Sequence, residues 1–93
     1  MSPEYHILLY KTAENYIERR KPYREEHLLY ANAAHDRGEL LLGGALDDPA
    51  DGALLIFKTG NPAVVEDFAR NDPYVLNGLV IEWRVRPWIV VIG

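Results

Sequence analysis

Two short motifs lie far apart in this chain and between them carry the residue types needed for proton transfer. Arg24-Glu25-Glu26-His27-Leu28 falls inside a helical pattern, and Asn71-Asp72-Pro73-Tyr74-Val75 follows a second one. An imidazole takes up and returns a proton near neutral pH. A carboxylate beside it fixes the tautomer and favours the protonated ring. If Asp72 meets His27 in space, the pair can serve as a general base and then a general acid. Arg24 stands one helical turn before His27 and can hold a carboxylate or phenolate while the imidazole works. Arg20 would be near it if the helix extends back past Pro22. The structural alternatives are plain. His27 can be a boundary histidine held by a backbone carbonyl, and Asp72 can be a helix N-cap ahead of a proline at the first helical position. Capping leaves a second carboxylate oxygen, so the two roles of Asp72 are compatible.

Other chemistry is thinly represented. The histidines, His6, His27 and His35, have neither HxxxH nor HxH spacing, so no metal is expected. His35 in the last helical turn suits the backbone dipole as a cation. There is no cysteine, and Ser2 is the single serine, near a chain end, so nucleophilic catalysis is poorly supported. Gly43-Gly44 lacks the lysine and spacing of a phosphate loop. No cofactor is implied. Tyr10, Tyr74, Trp83 and Trp88 can line a pocket, although such aromatics more often fill a core.

These residues must be positioned by a small scaffold. Ninety-three residues, 48% hydrophobic and 26% charged, read as one globular domain over residues 1–93. A chain of this size buries roughly 60–65% of its unfolded surface, which makes association a reasonable source of stability. The net charge is −4, against nucleic-acid binding. No apolar run approaches the ~20 residues of a membrane helix, and Ser2-Pro3-Glu4 does not open a signal peptide. A cytoplasmic location is the expectation. Four of the ten basic residues, Arg19, Arg20, Lys21 and Arg24, lie within six positions. They form either a solvated helix entrance or a positive rim drawing anions toward His27.

Tyr5–Lys11 reads as a strand with apolar residues on both faces, hence one covered on both sides. A helix follows from Pro22 to Arg37, with Leu28, Ala31 and Ala34 as its apolar stripe and Gly38 as its stop. Leu40–Leu46 is a second strand, interrupted by Gly43-Gly44 as a bulge, bend or close approach. Asp47–Gly52 is turn chemistry and Ala53–Lys58 a third strand. Asn61-Pro62 caps a second helix to about Arg70, burying Val64, Val65 and Phe68. Leu79–Arg86 is the fourth strand, broken by Pro87, and Ile89–Ile92 is an apolar tail. The order βαββαβ is the α+β, ferredoxin-like plan. Two helices cover one face of four strands. A second copy of the chain, packed sheet to sheet, is expected on the other.

Tyr23-Arg24-Glu25-Glu26-His27-Leu28, Gly38-Glu39-Leu40-Leu41-Leu42-Gly43-Gly44 and Asp51-Gly52-Ala53-Leu54 together resemble the YCII-related domain family. So do Phe68-Ala69-Arg70-Asn71-Asp72-Pro73-Tyr74-Val75 and Gly78-Leu79 with Arg86-Pro87-Trp88. The resemblance spans nearly the whole chain and implies a ferredoxin-like fold forming a dimeric α/β barrel. It also implies an active site on a histidine and an aspartate, which fall on His27 and Asp72. A relative in aromatic degradation is a dehydrochlorinase, and the fold is similar to muconolactone isomerase. Ala45 stands where family members usually carry a proline. The expected function is therefore cofactor-free acid–base chemistry, an isomerisation or elimination, on a small anionic organic molecule. Arg24, Tyr74 and Gly44 would contribute to binding. The alternative is a dimeric module that binds a metabolite without turning it over.

Overall fold

The computed structural model describes residues 4–93; Ser2 and Pro3 lie outside the described residues. Strand β1 (Tyr5–Thr12) is followed by a short helix α1 (Tyr16–Arg19), a 3-10 turn (Lys21–Tyr23) and the long helix α2 (Arg24–Asp36). Strands β2 (Leu40–Ala45) and β3 (Gly52–Lys58) form a hairpin. Helices α3 (Pro62–Asn71) and α4 (Pro73–Leu76) then lead into β4 (Val80–Trp88). The sheet order is β2-β3-β1-β4, with every neighbouring pair antiparallel. This is the ferredoxin-like α+β arrangement, with α2 and α3 on one face.

Alternation along β1 explains the layering. His6, Leu8, Tyr10 and Thr12 are buried toward the helices, whereas Ile7 and Leu9 on the opposite face are half-buried. Ala53, Leu55 and Phe57 of β3 continue the helix-facing side, and Val65, Phe68 and Ala69 of α3 close on it. Leu54 and Ile56 share the far side with Ile7 and Leu9.

Local chemistry sets the helix ends. The Asn61 side chain accepts the Ala63 N–H at 3.0 Å and Pro62 occupies the first helical position. Gly38 stops α2 with φ +81°, where its missing Cβ removes the steric cost. Glu39 N–H then returns to Ala34 O at 3.1 Å.

Several sequence expectations are corrected. Pro87 does not break β4, which runs on to Trp88 with Pro87 opposite His6. β4 is an edge strand, so the missing N–H removes no bond on its outer side. Gly43-Gly44 do not interrupt β2. The register shift lies between Leu40 and Leu42, and the glycines pair with Leu55 and Leu54. Helix α2 starts at Arg24, not Pro22, because the preceding turn is 3-10. Its apolar stripe is narrower than expected: Ala34 is fully buried, but Leu28 is 41% exposed. Val64 is half-buried.

Candidate active site

Helix α2 carries His27 on its boundary between core and solvent, and the break between α3 and α4 brings Asp72 to meet it. Asp72 has extended backbone angles (φ −64°, ψ 125°) and ends α3 while capping α4. The turn exists because aspartate before proline leaves the helical region and pre-sets the next helix. Asp72 Oδ1 accepts the Tyr74 N–H at 3.0 Å and the His27 Nδ1–H at 2.7 Å. Its Oδ2 accepts the Tyr10 hydroxyl at 2.7 Å. The sequence reading assigned the second oxygen to the imidazole; instead one oxygen serves both cap and imidazole, and the other belongs to Tyr10.

Three donors thus converge on a carboxylate that is fully buried. With Asp72 as the carboxylate all three act as donors to it, and Nδ1 is the ring nitrogen that faces it. The second ring nitrogen, Nε2, has no hydrogen-bond partner among the described residues, and it is not sealed from solvent. It belongs to a side chain that is 14% exposed and that lines an open cleft of about 500 Å³.

Tyr74 supports the ring from below. The two rings stack with centroids 3.8 Å apart and planes 6° from parallel. Tyr16 meets the Tyr74 ring edge-on at 5.7 Å. The Arg24 guanidinium Nη1 lies 3.5 Å from the Tyr74 hydroxyl, and Arg20 lies over the Tyr16 ring at 5.1 Å. Both arginines line the same cleft. Burial pushes the Tyr74 hydroxyl up from its usual ionisation range, with Arg24 acting against it. Burial, reinforced by the Asp72 charge, pushes Tyr10 up much further.

The basic run of the sequence therefore divides. Arg20 and Arg24 face the cleft, whereas Lys21 is exposed and paired with Glu18 at 3.0 Å. Arg20 arrives without a continuous helix, as the residue that closes α1. Gly44 lines the cleft wall on β2, where nothing lies within 4 Å of the position a Cβ would take. Its neighbour Gly43 also lines the cleft and pairs with Leu55 on the helix-facing side. Tyr10 lines the cleft as well, but Trp83 and Trp88 do not. Trp83 packs against the core, and Trp88 meets Tyr5 edge-on at 6.4 Å.

The other histidines are anchored by carbonyls: His6 Nδ1–H donates to Thr59 O at 2.8 Å and His35 Nδ1–H to Leu40 O at 2.7 Å. His35 also borders the cleft, a position the sequence reading did not give it. Among the described residues there is no group of three or more His, Cys, Asp or Glu that could hold a metal, and no helix long and apolar enough to cross a membrane.

Tyr16 was not visible in the sequence, and Tyr10, named there only as a pocket aromatic, was not seen as a donor to Asp72. The available signal was alternation. Tyr10 shares its strand face with Leu8, so a buried hydroxyl there needs an acceptor.

A four-stranded sheet backed by two helices, with a paired imidazole and carboxylate beside an arginine-rimmed cleft, defines a small ferredoxin-like α+β protein. The chain belongs to the YCII-related domain family, whose model matches residues 4–89. It is 29% identical over 93 residues to an uncharacterised protein of Haemophilus influenzae, across 90% of this chain and 95% of that protein. It also superposes on a solved structure of 5-chloro-2-hydroxyhydroquinone dehydrochlorinase from Burkholderia phenoliruptrix in complex with 2,5-dihydroxybenzoquinone. The TM-score there is 0.76, with 22% identity and coverage of 91% of this chain and 93% of that one.

Proposed function

We propose that this protein is a small-molecule enzyme that moves a proton with His27, on a small anionic organic substrate. The observation that carries the reading is the division of labour on one imidazole. Nδ1 is committed to the buried Asp72, while Nε2 opens to the cleft without a protein partner. Nε2 takes a proton from a substrate carbon activated by a neighbouring carbonyl or double bond. Asp72 stabilises the imidazolium so formed. Returning that proton to another carbon completes an isomerisation. Alternatively, the C–H electron pair forms a new double bond and a leaving group such as chloride departs with its own electron pair, which is an elimination. Base and acid are the same side chain, so the cycle needs no cofactor. Arg24, with Arg20, holds the anionic group of the substrate. Tyr74 holds the imidazole, and Gly44 contributes to the β2 wall of the cleft. That a structurally similar protein is a dehydrochlorinase supports the elimination arm.

The working unit in this proposal is a homodimer. Ile7, Leu9, Leu54 and Ile56 lie on the sheet face without helices, and Leu42 on the adjoining strand is 68% exposed. A contiguous apolar face of this kind marks a contact surface.

The test is a panel of chlorinated hydroxyaromatics and unsaturated lactones, incubated in deuterated water and followed by NMR and by chloride release. Wild type is expected to exchange or eliminate with at least one panel member, and folded His27→Gln to lose that activity by about 10²–10⁴. Binding without exchange across the panel, equally in both proteins, would overturn the enzymatic reading in favour of a metabolite-binding module.

A further inference from the structure

We propose that Tyr10 is a positioning residue for the His27–Asp72 pair: its buried hydroxyl, donated to Asp72 Oδ2, keeps that carboxylate an acceptor, so that hydrogen stays on His27 Nδ1 and Nε2 stays bare. The inference rests on the reading of His27 as a base acting through Nε2.

The pair has two neutral-ring states; the second holds one proton more than the first, taken up from solvent, so the two are compared at one fixed pH. In the first, Asp72 is a carboxylate and His27 carries hydrogen on Nδ1. In the second, Asp72 is a carboxylic acid that donates to Nδ1, and the ring hydrogen sits on Nε2. The second arrangement blocks the nitrogen that faces the cleft. Which one holds depends on what surrounds the two carboxylate oxygens. Oδ1 receives Tyr74 N–H and lies 2.7 Å from His27 Nδ1. Oδ2 receives one group, the Tyr10 hydroxyl at 2.7 Å. Asp72 is fully buried, so water does not replace that donor.

Tyr10 is well built for the task. It sits in the middle of the sheet, paired with Ala53 on one side and Trp83 on the other. Strand β1 is hydrogen-bonded on both sides, so the donor rests on a regular element rather than a loop. Tyr10 comes from 62 residues away in sequence, so the contact joins the sheet to the α3–α4 break. Burial and the adjacent carboxylate both disfavour ionisation of this phenol, so the group remains a donor over the whole working range. Among its neighbours, the Tyr30 hydroxyl donates to Phe68 O, and the Tyr74 hydroxyl accepts from Arg24.

The experiment uses the full chain with ¹⁵N-labelled histidine. The His27 ring signals are assigned by their loss in His27→Gln, and the neutral-ring tautomer is read from the two nitrogen shifts. Wild type is expected to show hydrogen on Nδ1 and a bare Nε2. Tyr10→Phe removes one hydrogen bond to a charged group, and the ratio of Nδ1–H to Nε2–H rings is expected to fall about tenfold. Tyr30→Phe is expected to leave the ratio unchanged. If Tyr10→Phe does not fold, 3,5-difluorotyrosine at position 10 keeps the ring and offers a stronger donor, and the ratio is expected to rise. A ratio within twofold of wild type in folded Tyr10→Phe, or no change on fluorination, would overturn the role of Tyr10 alone. A wild-type ring with hydrogen on Nε2 would instead overturn the reading of His27 as the base, and this inference with it.

Discussion

Asp72 and Tyr74 are two positions apart, and they hold the same imidazole from two directions. The carboxylate meets His27 Nδ1 at 2.7 Å in the ring plane, and the phenol lies flat against the ring face at 3.8 Å. Pro73 between them forces the backbone geometry that makes this possible, because Asp72 must be extended while Tyr74 begins a helix. A three-residue capping turn thus becomes a rigid cradle. The cap bond from Tyr74 N–H to Asp72 Oδ1 is itself part of the cradle.

The first prediction separates the two jobs of Asp72. Asp72→Asn keeps an oxygen for the cap and retains the shape, so the fold survives with a loss of about 1–2 kcal/mol. Turnover falls by about 10²–10⁴, since the amide no longer stabilises an imidazolium. Asp72→Ala also strands three buried donors, and its stability falls by about 3–5 kcal/mol. Urea unfolding of both variants beside activity assays checks the split. Equal destabilisation by Asn and Ala would contradict it.

How far this was legible in the sequence follows from what each signal measures. Local signals worked: Asn61-Pro62 and Asp72-Pro73 each place a cap and a helix start, and Gly38 ends α2. The alternation in Tyr5–Lys11 gave both faces of β1. The meeting of His27 with Asp72 was legible only as a condition, because 45 residues separate them and spacing alone does not fix their approach. The Tyr10–Asp72 bond was hidden for the same reason, as the partners are 62 residues apart. Pro87 misled because proline removes a ladder donor in any strand, and only topology reveals that β4 is at the edge. Leu28 misled because α2 turns one side of its stripe to the open cleft rather than to the core.

The second prediction concerns alkaline pH. Burial raises the ionisation of Tyr10, Tyr30 and Tyr74 above the ordinary tyrosine value of about 10. Above that pH the unfolded chain loses phenolic protons that the folded chain keeps. The unfolded state then binds fewer protons, and stability falls with rising pH. Their contribution is fully present below about pH 10 and is lost as pH climbs beyond it toward the folded-state values. Tyr10 carries the largest share, with its hydroxyl buried against Asp72. Urea midpoints measured from pH 8 to 11.5 should hold and then drop, and Tyr10→Phe should flatten the drop. A midpoint that rises across pH 10 would contradict the assignment.

The third prediction tests the β2 wall. Gly43 pairs with Leu55, and a Cβ there would sit 3.4 Å from Leu55 Cγ, an ordinary contact. Gly43→Leu therefore folds, with a stability change within about 1–2 kcal/mol, but puts a branched side chain in the cleft. Ligand binding should weaken by at least tenfold with the His27–Asp72 pair intact, read by titration calorimetry and by the unchanged ring ¹⁵N shifts. Undiminished binding would place the ligand elsewhere.

Gly52 is the fourth case, and here space is tight. A Cβ at this position would meet the Tyr10 carbonyl oxygen at 2.9 Å, a backbone atom that cannot swing aside. Gly52→Ala must push β3 from β1 beside Tyr10, at a cost of about 1–3 kcal/mol. Unlike Gly43→Leu, it should lower the urea midpoint and disturb the His27 ring signals together, because β1, the strand it presses against, carries the donor to Asp72. A midpoint equal to wild type would mean that the strands have slack here.

The last prediction addresses the helix-free face of the sheet. Ile56 lies in β3 opposite Ile7 of β1 and next to Leu42 of β2, at the centre of the apolar surface. Lys11, Lys58, Arg84 and Arg86 stand around it on the same face, by the alternation of their strands. A dimer formed sheet to sheet buries Ile56 against its counterpart, where two introduced carboxylates would face each other and lose their hydration. Ile56→Asp leaves the helix-facing core untouched, so the monomer keeps its helices and its His27–Asp72 contact. Sedimentation at micromolar concentration should give a dimer for wild type and a monomer for Ile56→Asp. The variant's far-ultraviolet circular dichroism should match wild type. A wild-type chain that sediments as a monomer would leave this face without the partner that its composition calls for.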